Sequence, residues 1–204
     1  MQRRRKNGRV RITSRAKLPT RFGRFAVLGI EGRRKGEQAV AIVRGKLRGA
    51  KAPLVRVHSQ CLTGDVFTSE RCDCRAQLEY SLRKIAQEPA GVLLYLPQEG
   101  RGIGLLNKLK AYELQDRGLD TVEANRTLGF AADSRDYEFA AEALKALGAR
   151  RVRLLSNNPD KVEQLERAGV RIAKRIPCRP RTTRHSRDYL RAKKAKLGHL
   201  LAGL

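Results

Sequence analysis

The sequence predicts an α/β fold, a mixed sheet with helices on its faces. Two observations carry that reading. Through residues 91–176, apolar runs of strand length alternate with helically spaced segments, the rhythm that joins parallel strands by helical crossovers. The ends are rich in Lys and Arg and lack such periodicity, which confines the fold to the centre. At 204 residues the chain suits one well-buried domain, or at most two small ones. The expected division is a basic extension over 1–23, the main domain over 24–176, and a basic segment with a short helix over 177–204.

Taken in order, Arg24–Ile30 and Gln38–Val43 read as strands joined by glycine-containing turns. Leu54–His58 follows Pro53 as a short strand and runs into a cysteine-rich stretch. Ala76–Gln87 has helical spacing, with Leu78, Leu82 and Ile85 on one side. Gly91–Leu96 is a buried strand leading into a glycine turn, Gly100–Gly104, whose spacing fits neither the dinucleotide nor the Walker pattern. A tight strand-to-helix turn is one reading of it; contact with a phosphate or base at the next helix start is the other. Leu105–Arg117 is helical, with Gly118 as its C-cap. Ser134 is expected to N-cap a helix over Arg135–Leu147 that stops at Gly148. Arg151–Leu155 is a strand, Pro159–Ala168 a helix beginning after Asn158, and Val170–Ile176 the last strand.

The formal net charge of +25 invites a nucleic-acid reading, so its distribution matters. Residues 1–24 hold ten Lys or Arg and no acid, and residues 171–204 hold eleven against Asp188. The centre is therefore nearly balanced, which fits solvated tails on an ordinary domain. Nucleic acid is a candidate partner only through the ends, because the centre is poor in aromatics that stack on bases. An organellar transit segment is an alternative for the Arg-rich start. No stretch approaches the roughly 20 apolar residues of a membrane span, and no secretory signal is visible. The expectation is a soluble, cytoplasmic protein without a membrane partner.

Cys61, Cys72 and Cys74 fall within fourteen residues as C-x10-C-x-C, with Cys178 far downstream. Intracellular chains with a core of their own have little need of disulfides, so clustered thiols point to metal or catalysis. Three thiolates on zinc leave a fourth position for water, the catalytic kind of site, and zinc brings the pKa of that water to about 7. The alternatives are a closed site with Cys178 or His58 as fourth ligand, and three unrelated buried thiols.

The flanking residues carry more. Arg56-Val57-His58-Ser59-Gln60-Cys61-Leu62-Thr63-Gly64-Asp65 and Arg71-Cys72-Asp73-Cys74 resemble the zinc segment of GTP cyclohydrolase II. Gln98-Glu99-Gly100-Arg101-Gly102-Ile103-Gly104, Asp120-Thr121-Val122-Glu123-Ala124-Asn125, Asp133-Ser134-Arg135-Asp136-Tyr137 and Ser156-Asn157-Asn158-Pro159 continue the likeness in register. The resemblance implies an enzyme of riboflavin biosynthesis that releases formate and pyrophosphate from GTP, leaving a diaminopyrimidine that carries ribose phosphate. It implies one zinc per chain on Cys61, Cys72 and Cys74, activating the water that attacks C8 of guanine. Asp133 would be the proton acceptor, Arg135 the nucleophile towards the guanylyl group, and Tyr112 a group near the reacting ring. Arg56, Val57, His58, Ser59, Gln60, Gln77, Glu99, Gly100, Arg101, Thr121, Ser156 and Lys161 would contact GTP. A magnesium ion on the triphosphate and a homodimer belong to the same expectation.

Glu99 suits the guanine N1–H and exocyclic amine, while Arg56, Arg101 and Lys161 suit the leaving pyrophosphate. A guanidinium is a poor nucleophile until it loses a proton, so Arg135 reads equally as a phosphate clamp. Two residues depart from the family pattern: Gln60 stands where Glu is usual, and Arg75 where Gly is usual. Gln60 keeps hydrogen bonding but loses the capacity to act as a base. A specialised relative that stops at a formamido intermediate is the second enzyme reading. A nucleic-acid-binding protein with a structural zinc is the third.

Overall fold

The computed structural model describes residues 10–180. Seven strands form one sheet: β1 (Arg11–Thr20), β2 (Gly23–Glu31), β3 (Gln38–Arg44), β4 (Leu54–Ser59), β5 (Gly91–Leu96), β6 (Arg151–Leu155) and β7 (Arg171–Ile176). Their order is β1-β2-β3-β5-β4-β6-β7. The first three strands run antiparallel, and β3 pairs antiparallel with β5. The pairs β5–β4, β4–β6 and β6–β7 are parallel. The expected mixed α/β sheet is thus present, its parallel half built by the alternating segments.

Helices cover both faces. On one, α2 (Cys74–Ala86) buries Leu82 and Ile85 against Phe25, Leu54, Leu93 and Leu155. On the other, α5 (Glu138–Ala146) and α6 (Pro159–Arg167) seat Ala140, Leu144 and Leu165 on Val55, Val57 and Leu94. Strands enclosed this way read as continuous apolar runs, as β5 does. Two further helices, α3 (Leu105–Asp116) and α4 (Thr121–Thr127), and a short α1 (Leu62–Asp65) stand near the sheet's carboxyl edge.

Three local expectations differ from the structure. Arg11–Thr20 is an edge strand, paired with β2 along its length, so the sheet reaches into the segment expected to be an extension. Its side chains are mostly exposed, and no buried-exposed alternation marks it as a strand. Ser134 caps nothing: α5 begins at Glu138, and the backbone N–H of Glu138 donates to Asp136 Oδ1 at 2.7 Å. Asp133 instead holds the Arg135 N–H and guanidinium, a local turn that competes with helix. The helix α4 was not expected, although Asp120 and Glu123 form a complete capping box at its start. The expected C-cap at Gly118 has φ 102°. The short helix expected after residue 177 lies outside the described residues. Among the described residues, no helix is long and apolar enough to cross a membrane.

β4 is where the connections reverse: the chain passes from it to β5 on one side and later to β6 on the other. In open α/β sheets, ligands bind beyond the carboxyl end of such a switch-point strand. A cleft opens at that place.

Candidate active site

β4 ends at Ser59, and the chain turns at once through Cys61 into α1. The loop after α1 returns Cys72, and Cys74 is the first residue of α2. The three sulfur atoms lie within 4.8 Å of one another, with Cys61 and Cys72 at 3.7 Å. Gly64 makes this convergence possible. A Cβ there would sit 2.9 Å from the Cys72 sulfur and 3.2 Å from the Cys61 sulfur. Gly64→Ala should therefore push the sulfurs apart and lower metal affinity about tenfold or more, read by competition with a chromophoric chelator.

Neither Cys178 nor His58 joins the thiol group among the described residues. Cys178 is buried beside Ser81, its backbone clasped by Asn157. His58 Nε2 lies 3.1 Å from both oxygens of Asp65, whose Oδ2 also accepts from the Cys61 N–H at 3.0 Å and the Tyr95 hydroxyl at 2.9 Å. Asp65 thus fixes the chain at Cys61 from behind. Burial pushes the His58 pKa below the ordinary histidine value despite that carboxylate. A neutral buried histidine stabilises the fold fully above its unfolded pKa of about 6.5, and that contribution drains as pH falls below it. Urea midpoints should accordingly drop from about pH 7 to about pH 5.5, and drop less in His58→Gln.

The three thiols differ in acidity. Hydrogen bonds from Cys72 and Cys74, aided by the nearby Lys108 ammonium, drive the Cys61 pKa down. Cys72, hydrogen-bonded to that sulfur, is pushed up to about 11, and Cys74 is raised too. Three converging sulfurs, one of them already favoured as a thiolate, are a donor set that fits a thiophilic divalent ion.

Lys108 is the hub beside the thiols. Its Nζ donates to Cys61 Sγ at 3.2 Å, Thr63 Oγ1 at 2.9 Å and Glu99 Oε1 at 2.8 Å. Burial opposes its charge, yet Glu99 and the Cys61 sulfur lift its pKa above the ordinary lysine value. Glu99 is heavily engaged, with one acceptor position left on Oε2: Oε1 also accepts from the Gly100 N–H at 3.0 Å, and Oε2 from the Leu62 N–H at 2.7 Å. Tyr112, one turn after Lys108, meets the Thr63 hydroxyl at 3.0 Å and lines the cleft.

The glycine turn is a 3₁₀ turn, Glu99–Gly102, in which Gly100, Arg101 and Gly102 have φ of 61°, 60° and 93°. A left-handed arginine is a strained residue of the sort found at functional sites. The turn supports the next loop: Ser134 N–H donates to the Arg101 carbonyl at 3.1 Å, and Gly102 packs against the Ser134 backbone. Asp133 then grips Arg135 through Nε at 2.8 Å and through Nη2. Burial works to raise the Asp133 pKa, but Arg135 holds it below the usual range.

The same cleft carries buried cations. Buried Arg56 reaches the Leu155 carbonyl at 3.2 Å and pairs with Gln77, while Lys161 donates to the Val57 carbonyl at 2.7 Å. Arg56, His58, Ser59, Gln60 and Gln77 line the cleft, as do Glu99, Gly100 and Arg101. So do Thr121, Arg135 and Lys161. Three expected residues do not line it. Val57 is core, Ser156 turns its hydroxyl onto the Asn158 backbone, and Asp133 sits behind Arg135. Arg75 also points away, to Glu79 and the Asp65 carbonyl, each at 2.7 Å. Sequence reasoning gave no role to Lys108, Asp65 or Asn125. For Lys108 the available signal was its four-residue spacing from Tyr112 on a predicted helix.

A thiol trio able to hold a metal, in a cleft that also presents buried cations, is the kind of site a metal-dependent enzyme acting on a phosphorylated substrate uses. The chain belongs to the GTP cyclohydrolase II family, whose sequence profile matches residues 10–177. It is 49% identical over 193 residues to the GTP cyclohydrolase-2 of Buchnera aphidicola subsp. Acyrthosiphon pisum, covering 95% of this chain and 100% of that one. The GTP cyclohydrolase-2 of Cronobacter sakazakii is 54% identical over 188 residues, 92% of this chain and 95% of the relative. The riboflavin biosynthesis protein RibBA of Bacillus subtilis is 54% identical over 185 residues, 90% of this chain but 46% of that longer protein. The chain is thus an enzyme of a family of riboflavin-pathway hydrolases whose substrate is GTP.

Proposed function

We propose that this chain opens the guanine ring of GTP at a zinc site formed by Cys61, Cys72 and Cys74, releasing formate and pyrophosphate. The observation that carries the reading is the convergence of three sulfurs within 4.8 Å at the mouth of a cationic cleft. Zinc held there supplies Lewis acidity that brings the pKa of water towards 7. The chain's own residues do the rest. Arg56 and Lys161, anchored on backbone carbonyls, present fixed positive charge to the triphosphate oxygens, whose remaining charge magnesium would offset. Arg135, aimed by Asp133, stabilises the phosphate from which pyrophosphate departs. Asp133 is engaged at both oxygens, which favours aiming the guanidinium over accepting a proton. The Tyr112 hydroxyl, held by Thr63, stands beside the thiols where the imidazole ring must react. A homodimer accompanies this reading.

Zinc-loaded protein given GTP and magnesium should release formate and pyrophosphate in equal amounts. Intact GTP would sink the proposal. A product that keeps its formyl carbon would point instead to the arrested relative, for which Gln60, exposed to the cleft, is the motivating residue.

A further inference from the structure

Asn125 lies one turn after Thr121 on α4, and both line the cleft. Asn125 is only 3% exposed, yet its side-chain amide makes no hydrogen bond among the described residues. Buried amides are rarely left unpaired, and one that faces a cleft is waiting for a ligand group. The cleft residues that α3 and α4 supply beside it, Ala111, Tyr112, Gln115 and Thr121, are uncharged, with Arg71 and Lys108 packed on the Tyr112 ring. The buried cations Arg56 and Lys161 come from β4 and α6 instead. A nucleotide placed between these two sides sets its phosphates on the cations and its base on the α3–α4 side.

Glu99 is the obvious reader of a guanine, but its carboxylate already accepts from Lys108, Gly100 and Leu62. It cannot take two base N–H groups without breaking bonds that hold the cysteine loop. We infer that Asn125 is a base-contacting residue whose amide meets the purine edge of the nucleotide. Its oxygen and nitrogen, side by side, match the N1–H donor and O6 acceptor of guanine in two hydrogen bonds. This assignment rests on the GTP reading above.

Calorimetry on the metal-loaded chain tests it with two probes: a GTP analogue bridged by methylene between its α and β phosphorus atoms, and inorganic tripolyphosphate. Failure of the unmutated protein to bind the analogue would refute the GTP reading itself. If the analogue binds, Asn125→Ala should weaken it about tenfold or more and leave tripolyphosphate within about twofold. Asn125→Ser, which keeps a small polar side chain in the buried position, should show the same split and guards against a folding defect. Unchanged affinity for both probes, or equal weakening of both, would overturn the assignment.

Discussion

Cys74→Ser should abolish metal binding and GTP turnover together while leaving the fold in place. Cys74 opens α2, and its sulfur completes the trio with Cys61 and Cys72. Serine offers a harder, far less acidic donor, so the site drops to two thiolates. Losses from disturbing groups that merely support ligands run to about 10–100-fold, and removing a ligand should exceed that. Metal per chain, formate release and far-UV circular dichroism on one preparation check the claim. Cys178→Ser is the control. Cys178 is 1% exposed and outside the trio, so the metal should stay at full occupancy.

Lys108→Met should cost about 3–5 kcal/mol of stability, the usual penalty for stripping one partner from a buried ion pair. Lys108 and Glu99 are both buried, and the substitution leaves the Glu99 carboxylate without its cation. Cys61 and Thr63 lose a donor at the same time. Adding Glu99→Gln should recover part of the loss, because the orphaned charge goes with it. Urea unfolding of both single variants and the double variant measures the coupling. Strictly additive losses would show that the pair does not act as a unit.

Much of this architecture was legible because burial on both faces leaves an unambiguous trace. Gly91–Leu96 and Arg151–Leu155 coincide with their expected spans, and Leu82 and Ile85 face the core as their spacing required. The strand Arg11–Thr20 escaped because an exposed edge needs no alternation; its pairing with β2 rests chiefly on the backbone ladder. The helix at Thr121 escaped for want of length, its seven residues being too few to display a period. At the site, the thiols announced themselves by spacing, and the family likeness placed the cationic residues. The supporting contacts stayed hidden because they join distant segments. Lys108 and Cys61 are 47 positions apart, and Lys161 meets Val57 across 104. The capacity of Glu99 was hidden too, since its three donors come from three separate stretches of chain.

X-ray absorption at the zinc edge of a fully active preparation addresses the core of this mechanism most directly. The expected spectrum contains three sulfur scatterers at about 2.3 Å and one lighter oxygen, from solvent, at about 2.0 Å. Four side-chain donors around the ion, or full activity with no metal present, would contradict it.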